Sequence, residues 1–273
     1  MSVIVERKNQ ITNILNAGEI QSRIKNLFNK DDAKAEKFKA TILNIALDQS
    51  ISSCTPASII KSALMIAELD LPLAKGLGQA YIVKYKADAE AQIGYKGWLA
   101  LAERAGKSVK AKPVFKCDEF ELEDNGFDET VKFKPNYDER QEYKPAWVES
   151  NLRGVLVAIK DNSTGTVSIN FISVGKLKQI AGVSPSVKKG GYSPYTEWGL
   201  EMYQGKAIKY ILSKTPMNEQ IGRAVEIDNQ LDMKAIEDKK ETSAVIDIDL
   251  NAMLAEQPIN VEAQEIKDDD IKA

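Results

Sequence analysis

The sequence predicts an α+β protein in which an antiparallel sheet of about five strands packs with helices. Apolar residues recur at helical spacing over roughly the first 70 residues, and period-two alternation with turn signals follows. After residue 230 the chain is acidic and lacks aromatic residues, which predicts a mostly flexible tail. With 273 residues and 43% hydrophobic content, the chain is long enough to bury a sizeable core.

The N-terminal residues 1–30 read as a helical arm. Apolar positions from Ile4 to Phe28 predict two short helices, broken at Asn16-Ala17-Gly18. Such an arm packs on its own core or crosses to a neighbouring subunit, and the sequence leaves both alternatives open.

Two further helices are predicted before the sheet. Asp31 or Asp32 caps the first, which runs to about Ser50. Thr55-Pro56 opens the second. It ends before Leu71-Pro72, because a residue that precedes proline is disfavoured in a helix.

The stretch from Leu71 to Gly106 is the most informative part of the chain. It predicts a strand over Gln79–Tyr85, a short strand ending at Gly94, and a helix from about Trp98. Glycines and aromatic residues alternate here with basic residues, a composition that lets a charged polymer approach the backbone. The alternative is that the glycines serve turns and the aromatic residues lie in the core.

After Gly106 the pattern changes to strands. Ser108–Phe115 alternates, and Asn125-Gly126 predicts a hairpin turn within an acidic stretch. Arg153–Lys160 and Thr166–Ile172 predict a second hairpin. Carboxylates around the first turn are potential Mg²⁺ ligands, but strand alternation scatters them over both faces, so no clear metal site is predicted.

The last predicted helices carry the remaining basic residues. Ser173 caps a short helix, and Ser193-Pro194 opens a helix that continues to about Lys214. Between them lies a glycine-rich loop with Lys188 and Lys189. The longer helix places basic and tyrosine residues within roughly 140°, typical either of a phosphate-binding groove or of a solvated face. These residues are Tyr203, Lys206, Lys209, Tyr210 and Lys214.

Charge is unevenly distributed. The net charge is −3, but residues 231–273 hold 5 basic and 12 acidic residues, which leaves the first 230 residues at +4. Residues 94–116 carry six basic residues and one acidic residue. This local patch, and not the charge of the whole chain, is the expected nucleic-acid footprint.

Several classes of function are disfavoured by composition. The chain has no histidine, and Cys54 and Cys117 lack metal-ligand spacing, which argues against a zinc site, a disulfide framework and a histidine-assisted nucleophile. It lacks a GxxxxGK[ST] phosphate loop, so no ATP site is predicted. No apolar run approaches the length of a membrane span, and a cytoplasmic, non-enzymatic protein is expected.

Four blocks of sequence occur in an order typical of one family. They are LDLPLAKGLGQAYIVKY with AQIGYKGWLALAERAG, then EFELE, SPYTEW and EMYQGKAIKYILSKTP. From about Cys54 to Arg223 the chain thereby resembles the RecT family of phage and prophage single-strand annealing proteins. The resemblance implies an ATP-independent DNA annealing protein that works as a ring or helical filament.

The resemblance also implies a division of the chain and a set of DNA-binding residues. The annealing core spans 31–230, and the resemblance implies that the tail 231–273 contacts host proteins such as the single-strand binding protein. A second hypothesis is that the acidic tail competes with DNA for the basic groove. A phage exonuclease is a further expected partner of the protein. The sequence departs from the family at Met202–Lys206, which puts the roles of Gln204, Gly205 and Lys206 in doubt. The predicted DNA-binding residues are Lys75, Lys84, Tyr95, Lys96, Trp98, Arg104, Lys107, Lys188, Lys189, Tyr203, Lys206, Lys209 and Lys214.

Two rival functions stay open from the sequence. A passive single-strand binding protein shares the basic, aromatic surface but does not promote pairing. A carboxylate-metal nuclease requires several converging acidic side chains and a lysine, and is less favoured.

Overall fold

Four helices open the fold in the computed structural model, which describes residues 3–126, 129–182, 195, 198–215 and 218–237. Two of these helices begin at the predicted caps. The Asp31 carboxylate accepts a hydrogen bond from the Lys34 N–H, and the Thr55 hydroxyl accepts one from the Ser58 N–H. The helices are α1 (Val3–Asn16), α2 (Gly18–Leu27), α3 (Asp32–Ala46) and α4 (Pro56–Glu68).

The N-terminal helices pack on their own chain. Ile11 and Ile24 are fully buried, and α1 and α2 contact both α3 and α4. The Arg7 guanidinium donates hydrogen bonds to the carbonyl oxygens of Ala46 and Cys54, so it joins α1 to the end of α3 and the following turn. The arm could pack on its own core or cross to a neighbouring subunit, and in this structure it packs on its own core.

A carboxylate at the end of α4 links distant parts of the chain. Glu68 pairs with Arg23 of α2 at 2.5 Å and with Arg223 at 3.1 Å. Arg223 lies 155 residues further along the chain, on the last described helix. Glu68 therefore ties an early helix to the last one.

Seven strands are described, and every pair is antiparallel. β1 pairs with β2, β4 pairs with β5, and the third sheet has the order β3–β6–β7. The predicted α+β class with antiparallel strands is confirmed. The strands are β1 (Ala80–Tyr85), β2 (Asp88–Ile93), β3 (Lys107–Phe115), β4 (Glu119–Asp124), β5 (Glu129–Lys134), β6 (Leu152–Asp161) and β7 (Val167–Ser173).

The strands differ from the single sheet of about five strands that was expected, because they are divided among three sheets. β2 leads directly into a helix, which ends the first sheet after two strands. The β4–β5 hairpin packs through the Phe120 ring, 4.8 Å from the Phe171 ring of β7. This ring contact places the hairpin against the three-stranded sheet instead of extending it.

The remaining helices surround the sheets. A short helix begins at Pro145 and ends at Asn151. The last described helix continues past residue 230, the predicted end of the core, to Glu237. Ser193 and Pro194 lie outside the described residues. The helices are α5 (Tyr95–Arg104), α6 (Pro145–Asn151), α7 (Val174–Ala181), α8 (Gly199–Leu212) and α9 (Glu219–Glu237), with a 3₁₀ turn at Lys75–Leu77.

The three-stranded sheet forms the centre of the core. Val155, Val157 and Ile159 alternate along β6 and are buried, and α5, α7 and α8 pack against this sheet. The opposite face carries the exposed side chains of Lys110 and Lys112. In the described ranges no helix is long and apolar enough to span a bilayer.

Candidate nucleic-acid interface

Three glycines join the turn before β1 to the start of α5. We call Gly78, Gly94 and Gly97 the glycine junction. The Gly94 N–H donates to the Gln79 carbonyl oxygen at 2.9 Å. A Cβ added at Gly94 or Gly97 would lie less than 3.0 Å from a backbone oxygen. These glycines therefore let the turn before β1 contact the start of α5. This matches the alternative, left open by the sequence, that the glycines serve local chain geometry.

The glycine junction presents an aromatic ring and a cation side by side. Tyr81 is 37% exposed, and Lys96 is exposed at the first turn of α5. Both side chains pass close to Gly78, since a Cβ there would lie 3.3 Å from the Tyr81 hydroxyl and 3.5 Å from Lys96 Cδ. Helix α5 has no side-chain cap at Gly94, so its first N–H groups add partial positive charge beside Lys96.

The two large aromatic residues of α5 lie inward from this surface. Trp98 is 2% exposed, so its ring lies in the core, as in the alternative that the sequence left open, and it is not available for the DNA contact predicted for it. Tyr95 is half-buried, and burial raises the pKa of its hydroxyl. Its Cβ lies 3.9 Å from where a Cβ on Gly205 would stand, so α5 and α8 cross closely there.

Lys75 and Lys84 lie on the surface of the segment that carries the glycine junction. The Lys75 ammonium pairs with Asp48, and this hydrogen bond holds the pKa of the Asp48 carboxyl well below its usual range. Lys84 Nζ donates to the Ser53 hydroxyl at 2.6 Å. Both lysines are exposed, as a role in DNA binding requires.

Arg104 and Lys107 both bind other groups of the same chain. The Arg104 guanidinium donates to the carbonyl oxygens of Leu69 at 2.8 Å and Asp70 at 3.1 Å, and so caps the end of α4. Lys107 pairs with Asp161 across β3 and β6, and this hydrogen bond lowers the pKa of the Asp161 carboxyl. Their predicted contact with DNA competes with these partners.

The basic patch predicted over residues 94–116 is therefore split in space. Lys96 lies at the glycine junction, whereas Lys110 and Lys112 project from the exposed face of β3. Among the described residues, neither Lys110 nor Lys112 has an acidic partner within 4.0 Å. These two lysines belong to the predicted basic patch but are not among the predicted DNA-binding residues. Their i, i+2 spacing on a strand was the available signal.

The predicted basic face of α8 is also divided. Lys209 is 8% exposed, and its ammonium lies 2.5 Å from Asp228 of α9. Tyr203 packs against a core cluster that includes Phe115, and burial raises the pKa of its hydroxyl, with a smaller contribution from Glu149. A surface role in DNA binding does not fit the burial of Lys209.

Of the α8 positions that depart from the family pattern, Gln204 has a structural contact. Gln204 Nε2 donates to the Ala111 carbonyl oxygen of β3 at 3.0 Å. A Cβ at Gly205 would make only an ordinary contact with Tyr95, so the crossing of α5 and α8 does not require glycine there, and Lys206 is half-buried. Gln204 therefore positions α8 against β3.

A groove lies at the end of α8, along the outer edge of β7. Its volume is about 430 Å³, and Lys176, Tyr210 and Lys214 line one wall. The ammonium groups of Lys214 and Lys176 lie 4.4 and 5.5 Å from the centre of the Tyr210 ring. The Lys214 hydrogen bond lowers the pKa of the Tyr210 hydroxyl. Lys188 and Lys189 lie outside the described residues.

The acidic stretch near the first hairpin contains a buried ion pair. Asp118 and Arg140 pair at 2.6 Å. Burial alone would raise the pKa of the Asp118 carboxyl, but hydrogen bonds from Arg140, Phe115 and Asn136 outweigh burial and hold this pKa below its usual value. Over the described ranges, no three acidic or cysteine side chains come together as a metal site.

Comparison with known proteins gives one family. The model of the RecT family matches residues 36–244. The chain is 27% identical to Protein RecT of Escherichia coli strain K12 over 191 residues, which are 66% of each protein. It is 43% identical to the uncharacterized protein YqaK of Bacillus subtilis strain 168 over 84 residues, which are 30% of each. Each match spans less than two thirds of the relative's length.

Proposed function

The chain belongs to the RecT family, and from that premise we propose that it is an ATP-independent single-strand DNA annealing protein of phage-type recombination. The family match over residues 36–244 is the observation that carries this proposal. We assign the annealing core to residues 31–230, with the arm and the tail on either side of it.

The surface proposed to hold DNA is centred on the glycine junction. Lys96, Lys84 and Lys75 supply exposed cations along one segment of the chain, and Tyr81 supplies a partly exposed ring between them. Cations that bind phosphates release counterions, which gives affinity without sequence preference and a steep dependence on salt. Lys110 and Lys112 on β3 are proposed as a second, separate contact with DNA.

Annealing in this proposal derives its free energy from base pairing. When a strand is held by its backbone, its bases stay available to a second strand. Each stacked step of a duplex contributes about 1.4 kcal/mol, so the reaction needs no nucleotide hydrolysis. The protein supplies positioning and neutralises phosphate charge, and no catalytic residue is assigned.

Self-association into a ring or a helical filament belongs to the same proposal. Weak contacts from each subunit add up when several subunits bind one strand, because later contacts are effectively intramolecular. Host single-strand binding protein is the proposed partner of the tail, residues 231–273, and a phage exonuclease is a further proposed partner of the protein.

The test is an annealing assay with two dye-labelled complementary oligonucleotides, added one after the other to the purified protein without ATP. We expect faster pairing than without protein, and a salt-resistant complex with complementary strands only. Non-complementary strands in the same salt are the control. The absence of any acceleration would contradict the proposal.

A passive single-strand binding protein is the second candidate, since exposed Tyr81 beside Lys96 also suits plain strand binding. It would bind the first strand and slow the pairing with the second. The same assay therefore separates the two functions. Magnesium-dependent cleavage of the strands would instead favour a nuclease.

A further inference from the structure

The groove along β7 has the features of a slot for an extended peptide. β7 is an edge strand of the three-stranded sheet, and five consecutive residues, 169–173, line the groove. One side is bounded by Leu122 and Glu129 of the β4–β5 hairpin, and the other by α7 and α8. The edge of the strand therefore lies between two walls.

Backbone groups of β7 face into this slot. The Ile169 N–H donates to a Glu129 carboxylate oxygen at 2.9 Å, so it points away from β6. The Ile172 carbonyl oxygen points the other way, close to Gly154 of β6. Because backbone groups alternate between the two sides of an antiparallel strand, those of Phe171 and Ser173 also face the groove. Such an edge is a template for another strand.

The walls of the slot define the chemistry of its occupant. Lys176 and Lys214 provide positive charge on the helical side, and Phe171 and Leu122 provide apolar surface near the hairpin. A strand places alternate side chains on opposite sides. A matching peptide therefore alternates carboxylates with apolar residues. The Glu129 carboxylate and the repeated backbone donors and acceptors favour a peptide over a nucleic-acid backbone.

The chain itself contains a segment with this pattern outside the described helices and strands. Residues 244–250 read AVIDIDL, in which Ile246, Ile248 and Leu250 alternate with Asp247 and Asp249. These residues lie outside the described ranges. We propose that segment 244–250 of a second copy of this chain adds to the edge of β7 as an extra strand.

This inference rests on the proposed self-association and gives it a specific contact. A strand from one copy that enters a groove on the next is a heterologous contact, which builds open chains or rings. The two aspartates lie opposite Lys176 and Lys214, and the apolar residues lie opposite Phe171 and Leu122. The contact joins neighbours without using the glycine junction.

Two full-length variants test the proposal by complementation. The groove variant is Lys176→Glu, and its matched control is Lys178→Glu on the same helix, because Lys178 is solvent-exposed and pairs only weakly with Glu149 at 3.8 Å. The strand variant combines Ile246→Asp with Ile248→Asp. Self-association without DNA is measured by sedimentation velocity, and thermal unfolding checks that each protein is folded.

We expect the groove variant and the strand variant each to self-associate at least ~10-fold more weakly than the parent, while Lys178→Glu does not. An equimolar mixture of the two should form mixed pairs, since one copy keeps an intact groove and the other an intact strand. Unchanged association of the single variants would overturn the proposal. A mixture that stays monomeric would also overturn it, because the intact strand of one variant would then not bind the intact groove of the other.

DNA binding by the same proteins gives a separate readout. If Lys176→Glu weakens DNA binding and leaves self-association unchanged, the groove holds nucleic acid and the proposal fails. The annealing assay on the parent protein distinguishes this failure from a failure of the proposed function, because annealing by the parent does not depend on which surface joins the copies.

Discussion

Lys209 of α8 and Asp228 of α9 form an ion pair inside the fold, with 2.5 Å between the ammonium nitrogen and a carboxylate oxygen. The other carboxylate oxygen accepts a hydrogen bond from the Ile93 N–H of β2 at 3.1 Å. One buried carboxylate therefore holds together two helices and a strand. A lysine that family resemblance assigns to DNA thus has a partner within the protein.

Replacing Lys209 with methionine should destabilise the protein by about 3–5 kcal/mol, because Asp228 is left as a buried, unpaired charge. The double variant Lys209→Met, Asp228→Asn should recover much of this loss, since asparagine still accepts the Ile93 hydrogen bond. Unfolding in urea measures both effects. Loss of DNA binding by a fully folded Lys209→Met protein would contradict a purely structural role.

A methyl group at Gly97 should be destabilising by about 1–3 kcal/mol or more, because the added Cβ would overlap the Gln79 carbonyl oxygen. Gly205→Ala is the matched helical control. Its Cβ would make an ordinary contact at 3.9 Å with Tyr95, and alanine favours a helix by about 1 kcal/mol over glycine. Thermal unfolding of both variants checks the expected opposite signs.

Removing the charge of Lys96 should weaken single-strand binding and reduce the slope of log affinity against log salt by about 0.7, the value for one phosphate contact on a single strand. The control is Lys37→Ala, which removes one charge from the exposed surface of α3. Fluorescence anisotropy over a salt series measures both. An equal slope for Lys96→Ala and the parent would remove Lys96 from the proposed DNA surface.

Because of Asp118, the free energy of unfolding should decrease as the pH falls into the acid range. Its pKa in the folded protein lies below the usual value of about 4, so its contribution is fully present above that pH and is lost as pH falls through the folded pKa. Asp118→Asn should cost about 3 kcal/mol at neutral pH, because Arg140 stays buried, and should flatten the acid limb of the stability curve.

The control for Asp118 is Glu142→Gln, which alters the more exposed partner of Arg140. It should cost less than about 1 kcal/mol, since exposed pairs contribute little. Chemical unfolding at a series of pH values measures both variants. The free energy of unfolding of the parent should fall more steeply in acid than that of Asp118→Asn. Equal slopes for the two proteins would contradict this role of Asp118.

Local signals in the sequence predicted most elements of the fold. The caps at Asp31, Thr55 and Ser173 and the alternation of β6 depend on neighbouring residues, which the sequence displays directly. The separation of the β4–β5 hairpin from the three-stranded sheet depends on where Phe120 packs, and that contact joins residues far apart in the chain. Periodicity does not carry such information.

The candidate interface was less predictable for the same reason. Helical spacing placed Lys209 within the basic sector of α8, but whether a sector faces solvent depends on its neighbours, here Asp228 of α9. Lys96 could be selected because local glycines and a helix start surround it. The partners of Arg104 and Lys107 become visible only when the chain is folded.

The position of Glu68 has a consequence for synthesis. Its contact with Arg23 can form once the first helices have left the ribosome, but its contact with Arg223 joins residues 155 positions apart and must wait until most of the chain exists. Contacts of such long range form slowly, because closing the loop costs entropy before any packing is gained. A nascent chain released before residue 223 would leave the surfaces of β2 and α5 that α9 covers open to chaperones and proteases.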